Sequence, residues 1–125
     1  MSNSKSQKNG KKIIQQLQAG QDKGDLLNLI GDIFPDFSAV ITEDQLFGKV
    51  WSRTILSQRE RILITLALLV ATRCTNVLKA HIHYALNSGL SREEIQEVIL
   101  HTANYTCWGA GVEATRLTST ICSGE

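Results

Sequence analysis

Along this chain, apolar positions recur every three to four residues, the spacing of one helix face, and nowhere does apolar alternate with polar over the length of a strand. The pattern predicts an all-α protein. Helices are expected at about 12–19 and 25–33, separated by AGQDKG, with the second stopped at Pro35, the single proline. Val40, Ile41, Leu46, Phe47 and Val50 then mark a short helix that enters the WSR segment at Trp51. SQRE, from Ser57, is a serine with glutamate three residues on, the signature of a capping box, and it opens a helix at about 58–73. Apolar residues run almost all round that helix from Ile62 to Ala71, so it needs cover on several sides. Thr75 or Asn76 is placed to cap the next helix, which extends to about Asn87, with Gly89 set for a left-handed C-terminal cap. SREE at 91–94 is a second capping box opening a helix to about Thr106. A last helix at about 110–121 offers Val112, Leu117 and Ile121 for packing.

The stretch KAHIHYAL places His81 and His83 two positions apart on one helix. Positions i and i+2 point to nearly opposite sides, so the two imidazoles do not share a ligand. Leu78, Ile82 and Ala85 form the apolar stripe, and His81 lies beside it. His81 is therefore expected to face inward, and His83 toward solvent or a subunit boundary. An inward histidine has two readings: a satisfied core residue, or a general acid/base that titrates near neutral pH.

Composition narrows the picture without changing it. A chain of 125 residues, 42% hydrophobic and with a formal net charge of +1, fits one helical domain over 13–125. The preceding MSNSKSQKNGKK is lysine-bearing and nearly devoid of apolar residues, and is expected to be a flexible polar tail over 1–12. No aromatic residue interleaves its lysines, which argues against nucleic-acid binding. The start has no apolar signal region, and ILITLALLVA is too short for a membrane span, so no membrane association and a cytoplasmic location are expected. Cys74, Cys107 and Cys122 are odd in number and lack C-x-x-C spacing, which fits a reducing compartment. No set of His, Cys or Asp ligands stands at chelating spacing, so no metal is expected.

FGKVWSR, then RILITLALL, then LKAHIHYALNSGLSREEIQEVILHTANYTCWGA occur in an order and spacing that resemble the carboxymuconolactone decarboxylase family over about 34–118. The resemblance implies an all-α fold like that of alkylhydroperoxidase D-like proteins and assembly into rings, as a homotrimer or homohexamer. Redox members of this group use C-x-x-C-x-x-x-H. Counting back from His81, Cys74 matches the first cysteine, the redox candidate, but Val77 stands at the second, so a resolving thiol is missing. Arg61 matches the arginine that opens the buried helix, while Ile62 stands where redox members carry glutamate. The family's Y-x-G-W-P is here Tyr105-Thr106-Cys107-Trp108-Gly109, which alters the backbone preference of the turn and brings in a thiol.

The implied activity is cofactor-independent decarboxylation of a γ-lactone carboxylic acid. That chemistry needs a carboxylate clamp, a setting that tolerates charge spreading onto the lactone, and a proton donor to carbon. His81 is the candidate acid/base, and Arg53 and Arg61 the candidate clamps, since a guanidinium pairs with a carboxylate in bidentate fashion. Arg61 serves equally well as a helix-start or salt-bridge residue. Trp51, Tyr105 and Trp108 either wall an apolar pocket for a small carboxylate or lactone, or are core and interface aromatics. Two other functions stay open: a thiol peroxidase using Cys74, and a non-catalytic protein that binds a small acid.

Overall fold

The computed structural model describes residues 4–19 and 25–124. These residues form seven helices and no strand: α1 (Lys5–Gln18), α2 (Leu26–Ile33), a π-helix (Phe37–Val50), α3 (Gln58–Ala71), α4 (Thr75–Asn87), α5 (Arg92–Tyr105) and α6 (Trp108–Cys122). The all-α class expected from periodicity is what the chain adopts. The chain divides into two compact units, Met1–Gln58 and Arg59–Glu125. No helix among the described residues is long and apolar enough to cross a membrane.

In the first unit, α1 begins well before its expected start. Ser4 caps it, its Oγ accepting the Gln7 N–H at 3.0 Å, so residues 5–12, expected in a flexible tail, are helical. Composition misled here because polar contacts and close backbone approach, not apolar burial, hold this segment. Ser4 and Ser6 both donate their hydroxyls to Asp44 Oδ1, and Gln7 Nε2 donates to Glu43 Oε1 at 3.0 Å. At the crossing, a Cβ on Gly10 would lie 1.7 Å from the Glu43 carbonyl oxygen, and one on Gly48 would lie 2.0 Å from that of Ser6. Only two glycines let the backbones of α1 and the π-helix come this close. Ile14 and Leu17 add the apolar part of the contact.

The α2 start follows the local sequence, with Asp25 Oδ1 accepting the Leu27 N–H at 2.8 Å. Of the expected AGQDKG break, Ala19 is left-handed at φ 51°, and residues 20–24 lie outside the described residues. The short helix expected before Trp51 is longer and wider, wound in the π manner, and ends with Trp51 N–H donating to Leu46 C=O at 2.9 Å. Apolar spacing at three and four residues does not distinguish this winding from an α-helix.

In the second unit, α3 buries one row, Ile62, Leu66 and Val70, while Ile64 and Leu68 are exposed. Among the described residues, the cover on several sides that its composition calls for is therefore incomplete. The α4 start is a correction: the N-cap is Cys74, without a side-chain cap bond, and Thr75 is already in the helix. Arg73, left-handed at φ 55°, turns the chain there, and Thr75 Oγ1 donates back to its carbonyl at 3.4 Å. Gly89 takes the expected left-handed backbone at φ 92°. The SREE box closes as its spacing predicts: Glu94 N–H donates to Ser91 Oγ at 3.1 Å and Ser91 N–H to Glu94 Oε1 at 2.9 Å. Arg59 of α3 also pairs with Glu94, so the capping carboxylate ties two helices together.

The buried face of α6 is Ala110, Gly111, Ala114 and Thr118, whereas Val112, Leu117 and Ile121, expected to pack, are only partly covered. Small residues win that face because α6 packs against both α5 and α4. A Cβ on Gly111 would stand 2.8 Å from the Ala103 Cβ, closer than side chains pack.

Two predictions follow from the first unit. Gly48→Ala forces a methyl into the Ser6 backbone, so it should lower the stability of this unit by roughly 1–3 kcal/mol, although alanine is the better helix former. Denaturant titration read through Trp51 fluorescence in a Trp108→Phe background checks it. Asp44 is held below the ordinary carboxyl range by the Ser6 hydrogen bond first, then by that of Ser4 and by Lys49. A carboxyl lowered in the folded state contributes stability that is whole above about pH 3.9 and is lost as pH falls through the folded value. Amide exchange in α1 should accelerate across that acid window, and Asp44→Asn should show the faster exchange already at neutral pH.

Candidate functional site

The histidine on α4 faces as the stripe requires. His81 is 9% exposed among buried Leu78, Ile82, Tyr84 and Ala85, and His83 is exposed. The His81 ring meets Tyr84 edge-on, with centroids 5.1 Å apart. Its Nδ1 lies 3.0 Å from the Val77 carbonyl oxygen one turn back. A carbonyl only accepts, so Nδ1 carries the hydrogen and Nε2 is the nitrogen that exchanges a proton as the ring titrates. Backbone and ring contact together hold the imidazole in one orientation.

The other expected residues belong to several elements of the two units. Arg61 sits on α3, half-buried and engaged with its surroundings, with its Nε enclosed away from any acceptor among the described residues. Tyr105 closes α5 at 81% exposure and Trp108 opens α6 at 80%, so neither is a core aromatic. Tyr105 stacks only on His101 of its own helix, with centroids 5.1 Å apart. Trp51 and Arg53 belong to the first unit, where Trp51 is buried against Phe47 at 5.4 Å and Arg53 is exposed. Cys74 is exposed at the start of α4 and takes a contact of 3.3 Å from the Thr72 hydroxyl. All three cysteines are free thiols, and no three His, Cys, Asp or Glu side chains among the described residues gather as a metal site.

The altered Cys107-Trp108-Gly109 turn has an explanation in Arg73, which sequence reasoning passed over. The Arg73 guanidinium reaches across the start of α6, with Nη2 donating to Cys107 Sγ at 3.5 Å and Nε 3.7 Å from Glu113 Oε2. A Cβ on Gly109 would stand 2.4 Å from that Nη2. Glycine serves there by leaving room for a side chain, not by adopting an unusual backbone. The signal for it, an arginine after a helix end paired with a glycine 36 positions on, is invisible to local pattern.

Trp108 also forms part of a groove of about 450 Å³ between α5 and α6. Ile99, Leu100, Ala103 and Val112 make its apolar walls, and Gln96, Thr115 and Arg116 its polar end. His81 does not line it.

The sequence model of the carboxymuconolactone decarboxylase family matches residues 41–120. The chain is 34% identical over 79 residues to a 4-carboxymuconolactone decarboxylase of Acinetobacter baylyi, covering 63% of this chain and 58% of that protein. It is 35% identical over 68 residues to the nitrosuccinic acid decarboxylase npaB of Metarhizium robertsii, covering 54% of this chain and 48% of that one. The chain thus spans about half the length of the curated relatives it matches.

Proposed function

The chain belongs to the carboxymuconolactone decarboxylase family, and we propose that it is a decarboxylase of a γ-lactone carboxylic acid that uses His81 as its proton donor. The observation that carries this reading is the single orientation of His81, its Nδ1–H fixed on the Val77 carbonyl so that Nε2 is the proton-exchanging nitrogen. Both relatives are named as decarboxylases, which supports the reaction class.

In the proposed reaction the bond between the carboxylate carbon and the lactone ring breaks, and carbon dioxide leaves. The electron pair of that bond spreads into the conjugated lactone. Imidazolium Nε2–H of His81 then delivers a proton to the ring carbon, and solvent restores it. Arg61 holds a substrate carboxylate, as a guanidinium does in bidentate pairing. No cofactor takes part, because the lactone itself accepts the electron pair. Dithiol peroxidase chemistry has less support, since Val77, partly exposed one turn after Cys74, supplies no second thiol.

The native form in this reading is a ring-shaped homo-oligomer, a trimer or hexamer. Its support is the apolar surface of the second unit, where Ile64 and Leu68 of α3 and Leu100 of α5 are exposed among the described residues.

Two outcomes are expected. Turnover of 4-carboxymuconolactone, followed as carbon dioxide release, should fall by at least about 10²-fold in His81→Gln with helix content unchanged, and little in His83→Gln. Damage from the His83 change, or from neither, would remove His81 as the acid. Light scattering at micromolar concentration should give a trimer or hexamer, and a monodisperse monomer would contradict the assembly.

A further inference from the structure

The groove between α5 and α6 has features that the proposed reaction does not use. Its volume of about 450 Å³ lies within the range of small-molecule sites, and its walls are apolar except at one end. At its rim stands the indole of Trp108, 80% exposed, a flat surface on which a planar ligand can stack. At the polar end stands Arg116.

The charge of Arg116 is what selects the ligand. On α6, Glu113 precedes it by three residues, the spacing at which a carboxylate would normally neutralise it. Glu113 is instead held by Arg73, Nε to Oε2 at 3.7 Å, an arrangement that depends on the space left by Gly109. Among the described residues, Arg116 forms no salt bridge. A planar apolar wall with an uncompensated guanidinium at one end fits a flat organic acid: ring on Trp108 and the aliphatic wall, carboxylate on Arg116.

We propose that the α5/α6 groove is a binding site for an aromatic or unsaturated cyclic monocarboxylate, separate from His81 and with no part in the decarboxylation step. It rests on no step of the decarboxylase reading; of its residues only Leu100 recurs there, on the surface proposed to meet a second copy.

The test uses the full chain and 1-naphthoate as probe, with uncharged 1-naphthamide as the control. The chain has two tryptophans, so two indole N–H resonances report, with Trp51 as internal reference and Trp108 assigned by its loss in Trp108→Phe. Naphthoate should shift the Trp108 resonance saturably and leave that of Trp51 in place, and naphthamide should bind at least about tenfold more weakly. Arg116→Gln should weaken naphthoate by about tenfold or more and bring it level with naphthamide. Thr115→Trp, at an exposed position in the lining, should abolish the shift while the circular dichroism spectrum is retained. Equal binding of acid and amide, an unchanged affinity in Arg116→Gln, or no saturable shift at Trp108 would each overturn the proposal. The last result together with protection of Trp108 from acrylamide quenching would assign the groove to a second copy of the chain.

Discussion

The second unit depends on how closely α6 approaches its neighbours. Its buried face carries only Ala110, Gly111, Ala114 and Thr118, and at Gly111 there is no room even for a methyl beside Ala103. Close packing of this kind gains dispersion contact along the whole seam, but it leaves the larger side chains of α6 no place inside. Trp108 and Val112 are turned outward to line a groove. The same helix packs on α4, so the seam that excludes large residues from the interior also sets where the His81 helix lies.

On α4 the proposed proton donor is held in part by its own helix. The Val77 carbonyl one turn back fixes the hydrogen on Nδ1, and Tyr84 three residues on limits ring rotation from the other side. A proton donor gains from such restraint, because its orientation is set before substrate arrives. Arg73 plays a comparable part at the start of α6, where one guanidinium contacts a thiol and a carboxylate, and Arg116 on the next turn has no salt bridge among the described residues. The two arginines differ in role because only one reaches Glu113.

Most features specified within four residues were legible in the sequence, the α4 start aside, where Cys74 and not Thr75 or Asn76 is the N-cap. The Ser91/Glu94 box, the left-handed Gly89 and the inward turn of His81 beside Leu78, Ile82 and Ala85 all depend on local spacing, and each stands where that spacing places it. What depends on pairs far apart in the chain was not legible. The helicity of residues 5–12 rests on Asp44, Glu43 and the Gly10/Gly48 crossing, and polar composition alone reads as a tail. Hydrophobicity also misplaced the face of α6, since it ranks valine and leucine above glycine and alanine where close approach rewards the smaller residues. The family's motif brings His81, Tyr105 and Trp108 together as candidates, but Tyr105 and Trp108 are exposed while His81 is buried.

The central claim is that His81, fixed through Nδ1, is the group that meets the acid. Nitrogen-15 spectroscopy of histidine-labelled protein tests it directly, with ring signals assigned by His81→Gln and followed through addition of 4-carboxymuconolactone. Whenever the His81 ring is neutral its hydrogen should lie on Nδ1, and its Nε2 signal should move on addition of the acid while the signals of His83 stay in place. A neutral ring protonated at Nε2, or a response confined to His83, would contradict it.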